Sequence, residues 1–156
     1  MKKVKPIDLA SIDTIAGSNA GFDVQLYNPG NNVDLGITIR VLGKDSDEFQ
    51  KVSRAQSRKR TAKMTKGGFR NAASMASIEE IEQDGLELLA ACTIGWHRTD
   101  TDDTGKVSGA AKDTLLIAGN EIPFSVANAL MVYERFPWIK EQVDIAIGDR
   151  ANFIKS

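Results

Sequence analysis

The residue types that most often carry catalysis or bind metal are scarce in this chain. His97 is the only histidine and Cys92 the only cysteine among its 156 residues. A catalytic Cys–His pair needs both side chains within hydrogen-bond reach, and on one helix an offset of five residues turns them about 140° apart. We therefore expect Cys92 to be a buried structural cysteine. The sequence predicts no catalytic residue and no cofactor, and thus a protein that is not an enzyme.

Two further stretches resemble ligand-binding motifs without their essential parts. The acidic cluster Asp100, Asp102 and Asp103 superficially resembles a calcium loop, but no bidentate glutamate follows at the twelfth position. The glycines of GSNAG at 17–21 follow no predicted strand and open no predicted helix, as a phosphate-binding loop requires. We expect neither a metal site nor a phosphate site.

The strongest chemical signal is a basic segment at 51–70, KVSRAQSRKRTAKMTKGGFR, which contains no acidic residue. Its eight basic residues are Lys51, Arg54, Arg58, Lys59, Arg60, Lys63, Lys66 and Arg70. The remaining 12 basic and 21 acidic residues give the rest of the chain a net charge of −9. Such an asymmetry suggests an interaction surface.

Three uses of the basic segment stay open. A solvated or self-complementary helix is favoured, since residues 71–103 carry eight acids against one base, a run that a helical hairpin or a neighbouring subunit could pair with the segment. Docking onto another protein comes next, with Arg58, Lys59 and Arg60 as candidate contacts. Nucleic acid is the least favoured partner, because the acidic remainder of the chain would repel phosphates.

Size and composition predict one globular domain covering residues 1–156. A single cysteine and the absence of a secretory leader indicate a reducing cytoplasm. No apolar run approaches the ~18 residues of a membrane span, so no membrane association is expected.

Alternating apolar residues predict a β-hairpin at about 22–42. Phe22, Val24 and Leu26 share one face, as do Leu35, Ile37, Ile39 and Val41, with the turn cluster NPGNNVD between the two runs. Thr38 and Arg40 would lie on the opposite, solvated face. A second, short hairpin is predicted around Gly119-Asn120.

Helices should follow four capping signals. One begins near Asp45 and Ser46, and a flexible basic connection follows it at about 57–76. Another begins at Ser77 and buries Ile78, Ile81, Leu88, Leu89, Cys92 and Trp96, up to a polar loop at 97–113. Two more begin at Ser125 and Pro137. The fold class is thus α+β, with two hairpins and about four helices.

Aromatic residues cluster between the last two predicted helices. Tyr133, Phe136 and Trp138 surround Pro137 in the sequence YERFPWI. Core packing at the helix junction is the favoured interpretation. If instead they are exposed, they form with the outer edge of the first hairpin a candidate partner-binding surface.

Three long stretches carry a family resemblance. FDVQLYNPGNNVDLGITIRVLGKDSDEFQ, LELLAACTIGW and IPFSVANALMVYERFPWIKEQVDIAIGDRANF resemble the tail assembly chaperones of long-tailed bacteriophages. The resemblance implies a protein of the host cytoplasm that binds the tape-measure protein during phage assembly and assists assembly of the tail-tube protein around it. It assigns no binding residues.

Two other functions remain open at this stage. One is a structural virion component, such as a neck or tail completion protein. The other is a nucleic-acid-binding regulator that acts through the basic segment 51–70. A homo-oligomer is compatible with each of the three.

Overall fold

The computed structural model describes residues 5–67 and 77–154, and within them it confirms the predicted α+β fold. A three-stranded antiparallel sheet has the order β1-β2-β3, and a separate two-stranded hairpin is formed by β4 and β5. In chain order the elements are α1 (Thr14–Ala20), β1 (Phe22–Tyr27), β2 (Asp34–Val41), α2 (Asp47–Gly67), α3 (Ile78–Ala91), β3 (Thr93–Arg98), β4 (Thr114–Ile117), β5 (Asn120–Pro123), α4 (Val126–Arg135) and α5 (Pro137–Gly148). A turn of 3₁₀ helix precedes α1 at Leu9–Ile12, and another follows α5 at Arg150–Phe153.

The first hairpin forms as its alternation predicts. β1 pairs with β2 from Phe22 opposite Val41 to Tyr27 opposite Asp34. Val24 and Leu26 are buried on the face that α5 covers. On the other face Arg40 is exposed, as expected, but Thr38 is buried. Its hydroxyl donates to Gln25 Oε1 at 3.2 Å, so this part of the face is not fully solvated.

The prediction that one helix runs from Ser77 as far as Trp96 is wrong. Helix α3 ends at Ala91, and the chain enters β3, which pairs antiparallel with β2. Trp96 lies opposite Ile39, and both are buried. Trp96 follows Cys92 by four residues, which is a helical spacing, and Ile94 by two, which is a strand spacing. Only the strand occupies the free edge of β2. The polar loop accordingly begins at Thr99 and not at residue 97.

Local capping signals predict the helix starts well. Ser46, Ser77 and Ser125 each accept a hydrogen bond from the backbone amide three residues later, at 3.0–3.1 Å. Pro137 is the first residue of α5, and its predicted inward residues Ile139, Val143, Ala146 and Ile147 are all buried.

Two predicted boundaries shift. Helix α2 continues to Gly67, past residue 57 where the flexible connection was expected to begin. The rest of that predicted connection, 68–76, lies outside the described residues. In the second hairpin the turn is Ala118-Gly119 and not Gly119-Asn120, because Ile117 pairs with Asn120. Both turn residues have positive φ, 51° and 80°, as a two-residue hairpin turn requires.

One continuous core joins the sheet to α3, α4 and α5. Leu89 and Cys92 near the end of α3 belong to it, in agreement with the sequence analysis. Ile78 and Ile81, predicted to be buried, are instead 73% and 52% exposed. The first turns of α3 therefore extend beyond the core, beside the second half of α2.

Candidate partner-binding surfaces

Helix α2 has two charged sides with different surroundings. One side faces α3, where Arg60 Nη2 donates to Asp84 Oδ2 at 2.9 Å and Lys63 Nζ to Glu80 Oε1 at 2.8 Å. Gln56 Nε2 also donates to the backbone oxygen of Asp84, at 2.7 Å. The two helices thus form an antiparallel hairpin in which part of the basic segment is neutralised within the chain.

The other side of α2 carries cations that stay unpaired. Lys51, Arg54 and Arg58 are exposed, and none of them forms an ion pair with any described residue. On an ideal helix these three residues fall within an arc of about 60°. That arc lies opposite Gln56, Arg60 and Lys63, which face α3. We call Lys51, Arg54 and Arg58 the basic stripe.

The predicted basic contacts therefore separate. Arg58 belongs to the basic stripe, whereas Lys59 is exposed and lines the groove between α2 and α3. Arg60 is turned toward α3 and held by Asp84, so as a contact for another molecule it is a poor candidate. Nothing is described of the Lys66 side chain, and Arg70 lies outside the described residues.

The sequence analysis missed a row of exposed aliphatic side chains near the N-terminus. We call Ile7, Leu9, Ile12 and Ile15 the N-terminal row; they are 77%, 79%, 47% and 56% exposed. Leu9 and Ile12 lie three residues apart in a 3₁₀ turn, a spacing that places both on one side of it. The available signal was the presence of four large aliphatic residues within nine positions, but the sequence alone suggests that such residues are buried.

This row is presented on an anchored element. Asp8 and Asp13 cap the 3₁₀ turn and α1 by accepting from backbone amides at 3.0 Å. Gly17 packs so closely on Phe153 that a Cβ at this position would lie 1.6 Å from the Phe153 carbonyl oxygen. The Gly43 amide donates to the carbonyl oxygen of Ser18, which is itself buried. Helix α1 is thereby fixed against the domain, while the N-terminal row, which extends from Ile7 to Ile15 at the start of α1, is exposed.

A largely buried carboxylate just before α2 forms an ion pair that holds this end of the helix. Arg150 donates to both carboxylate oxygens of Asp45, at 2.7 and 3.0 Å. The Asp45 carboxylate is 15% exposed. Hydrogen bonds from Arg150 and then from Thr14 lower the pKa of Asp45 to about 2. This pair ties the segment after α5 to the loop that precedes α2.

The aromatic corner is mostly structural. Tyr133 is only 1% exposed, and its hydroxyl lies 2.6 Å from Thr93 Oγ1. Burial raises the pKa of its phenol. The prediction that Tyr133 contacts a partner is thus contradicted by its burial. Phe136 and Trp138 are half-buried against the core, and the Arg135 guanidinium lies 5.4 Å from the centre of the Phe136 ring.

The outer edge of the first hairpin, the other part of the predicted surface, is partly covered. The Gln142 side-chain amide of α5 donates to the Tyr27 carbonyl oxygen at 2.8 Å and accepts from the Tyr27 amide at 3.0 Å. It thus supplies the two hydrogen bonds that a neighbouring strand would make. A shallow groove remains beside it, lined by Phe22, Ile145 and Asn152 among others.

The residues considered for catalysis or metal binding do not form a site. Cys92 is fully buried, and burial raises the pKa of its thiol to about 12. His97 lies in β3, opposite Thr38. Within 5–67 and 77–154 no group of three or more potential metal ligands comes together. In the same part of the chain no helix combines the length and apolar character needed to cross a membrane.

Arg98 is a buried charge that the sequence analysis did not single out. Its guanidinium donates to Asp100, to the Thr114 carbonyl and hydroxyl oxygens, and to Glu121. These contacts join β3 to the polar loop and to both strands of the second hairpin. Since the partners around the guanidinium belong to the chain itself, its role is structural.

The sequence matches no protein-family model, and comparison with curated proteins and with solved structures gives no significant match.

Proposed function

We propose that this protein is a tail assembly chaperone of a long-tailed bacteriophage, which acts in the host cytoplasm and holds the tape-measure protein until tail-tube subunits assemble on it. The observation that carries the proposal is the N-terminal row, whose four aliphatic side chains are 47–79% exposed on an anchored element. The family resemblance of the three sequence stretches supplies the identity of the partner.

The N-terminal row suits a long apolar helix. An amphipathic helix carries apolar anchors at i, i+3, i+4 and i+7, and the exposed aliphatic side chains of the N-terminal row offer an apolar surface on which such anchors can pack. Complete burial of one aliphatic side chain contributes ~1.5–3 kcal/mol. Several together can offset part of the cost of association, which fits a partner that is held and later released.

The basic stripe would assist the encounter. Ile15 lines the same shallow depression as Lys51, Arg54 and Arg58. Acidic residues flanking the apolar anchors of a partner helix would meet these cations at the edge of the row. Exposed charges of this kind raise the association rate more than the affinity.

Co-expression with fragments of the tape-measure protein tests the proposal. A fragment that precipitates when expressed alone should stay in solution with the wild-type chain and co-purify with it. The double substitution Leu9→Ser, Ile12→Ser should abolish this rescue, because it removes two central anchors. Its melting temperature should stay close to that of the wild type, since both side chains are exposed.

Ile145→Ser is the matched control. Ile145 is 65% exposed on α5, in the groove beside β1 and outside the N-terminal row. It should rescue the fragment like the wild type. Failure of the wild-type chain to keep any tape-measure fragment in solution would refute the chaperone function, and loss of rescue only in Ile145→Ser would place the contact in the groove.

The other two functions predict different results. A structural virion component should be present in purified phage particles, whereas a chaperone should be absent from them. A nucleic-acid-binding regulator should bind duplex DNA or single-stranded RNA with sub-micromolar affinity at physiological salt. With Arg60 and Lys63 neutralised by α3, we expect only weak binding with a steep salt dependence.

A further inference from the structure

The first turns of α3 form a second exposed surface, opposite in charge to the basic stripe. Ile78 and Ile81 are 73% and 52% exposed. Glu79 and Glu82 are exposed beside them and form no ion pair with any described residue. We call Ile78, Glu79, Ile81 and Glu82 the acidic tip.

The acidic tip and the basic stripe lie on opposite outer sides of the α2–α3 hairpin. The contacts between the two helices use Arg60 and Lys63 on α2 and Glu80 and Asp84 on α3. The basic stripe lies on the far side of α2 from these contacts. By the same helical geometry, Ile78 and Glu82 lie on the side of α3 away from Glu80 and Asp84, whereas Glu79 and Ile81 lie on the flanks of the helix.

From this arrangement we propose that the chain associates with further copies of itself, the basic stripe of one copy against the acidic tip of the next. The charges are complementary, three cations against two carboxylates. Two carboxylates border the stripe, but Asp45 is paired with Arg150 and Asp47 accepts a hydrogen bond from Asn19. Each surface also offers exposed isoleucine, Ile15 beside the stripe and Ile78 and Ile81 in the tip. Within one chain, Arg60–Asp84 and Lys63–Glu80 already pair basic residues of α2 with acidic residues of α3. The proposed contact makes the same kind of pairing between two copies.

Opposite-facing surfaces make this contact heterologous. A two-fold dimer needs one patch that complements itself, whereas here each copy keeps one unused stripe and one unused tip after pairing. Addition of copies therefore continues until a ring closes, or continues as an open row. Since the pairs are exposed, the association weakens as salt screens them. Self-association does not depend on the proposed function, because it needs no molecule other than copies of this chain.

Charge reversal tests the pairing. The stripe variant is Lys51→Glu, Arg54→Glu, Arg58→Glu, and the tip variant is Glu79→Lys, Glu82→Lys. Sedimentation velocity on purified protein, at about 50 mM and about 500 mM salt, measures the mean mass. We expect wild-type mass to exceed that of a monomer at low salt and to fall at high salt, and each variant alone to stay monomeric.

An equimolar mixture of the two variants is the decisive sample. The stripe variant carries acid on both surfaces and the tip variant carries base on both, so the mixture should regain mass above that of a monomer. Glu141→Lys, Asp144→Lys on α5 makes the same charge change as the tip variant and should associate like the wild type. Circular dichroism melting confirms that each variant is folded.

Three results would overturn the proposal. They are a monomeric wild type at low salt and high protein concentration, folded variants that associate like the wild type, and a mixture that stays monomeric. None of them bears on tape-measure binding, which is measured by co-expression.

Discussion

The sheet with α4 and α5 and the outer half of the α2–α3 hairpin are stabilised in different ways. In the first region Leu26, Ile39 and Val143 are completely buried, and apolar burial is the main contribution to stability. In the second, the described contacts between the helices are the Gln56 hydrogen bond and two ion pairs whose side chains are 14–48% exposed. Exposed pairs contribute only ~0–1 kcal/mol each.

Because of this difference, residues that determine the stability of the domain and residues proposed to bind partners lie in different regions. Substitutions in the first region should unfold the whole domain, because its elements share one core. Substitutions in the outer hairpin should leave the domain folded and change only local opening or association. The surfaces that we propose for partners lie on the hairpin and on the N-terminal segment, outside that core.

The largest loss of stability is expected for a substitution in α3, the helix that extends from the outer hairpin into the core. Leu89→Asp places an unpaired carboxylate among core residues, which costs several kcal/mol against a typical total stability of ~5–15 kcal/mol. The variant should be unfolded or aggregated. Ile81→Asp makes a similar change two turns earlier, at an exposed position, and should shift stability by no more than about 0.5 kcal/mol.

Thermal unfolding followed by circular dichroism compares the two variants. A folded Leu89→Asp with an unchanged melting temperature would show that this end of α3 is not part of the core. An unfolded Ile81→Asp would show that the tip is buried, which would also remove the surface proposed for self-association.

A smaller effect is expected at the ion pair that links the C-terminal segment to the start of α2. Asp45→Asn should lower the free energy of unfolding by about 1–2 kcal/mol at neutral pH, a value reduced for partial exposure. The folded-state pKa of Asp45, about 2, lies below the unfolded value of ~3.9. The stabilisation is therefore complete above about pH 4 and is lost as the pH falls toward 2.

Urea unfolding of wild type and Asp45→Asn at pH 7, 4 and 2.5 measures this difference. The gap between the two proteins should narrow with falling pH. A gap that is constant over this range would mean that the ionised carboxylate is not the source of the stabilisation.

The smallest effect on global stability is expected within the hairpin. Glu80→Gln weakens the pair with Lys63 and should change the melting temperature little, because both side chains are almost half exposed. It should nevertheless speed trypsin cleavage in the second half of α2, since local opening controls access to these sites. Glu79→Gln is the control, because Glu79 has no ion pair with a described residue.

Gel analysis of limited digestion reads out the cleavage. In both proteins the first cuts should fall between Arg54 and Arg70. Equal rates for Glu80→Gln and Glu79→Gln would show that the ion pair does not hold the two helices together, and first cuts elsewhere would show that α2 is not the weak region.

Much of the local structure could be predicted from the sequence because its causes act over a few residues. Alternation at Phe22, Val24 and Leu26 predicts β1. Ser46 and Ser125 predict helix starts because their hydroxyls accept hydrogen bonds from the adjacent backbone, and Pro137 does so because its ring restricts the backbone to a helical φ. The charge of the basic segment likewise follows from residue types alone.

Only the tertiary structure decided what depends on residues distant in sequence. TIGW fits a helix or a strand, and the free edge of β2 makes it β3. Tyr133, Ile81 and Ile12 are all apolar or aromatic, yet the first is in the core and the others are exposed. Arg58 and Arg60 have the same chemistry, but only Arg60 faces an acid on α3. Burial and ion pairing arise from long-range contacts, so residue type states what a side chain can do, and the packing of the elements determines where it does so.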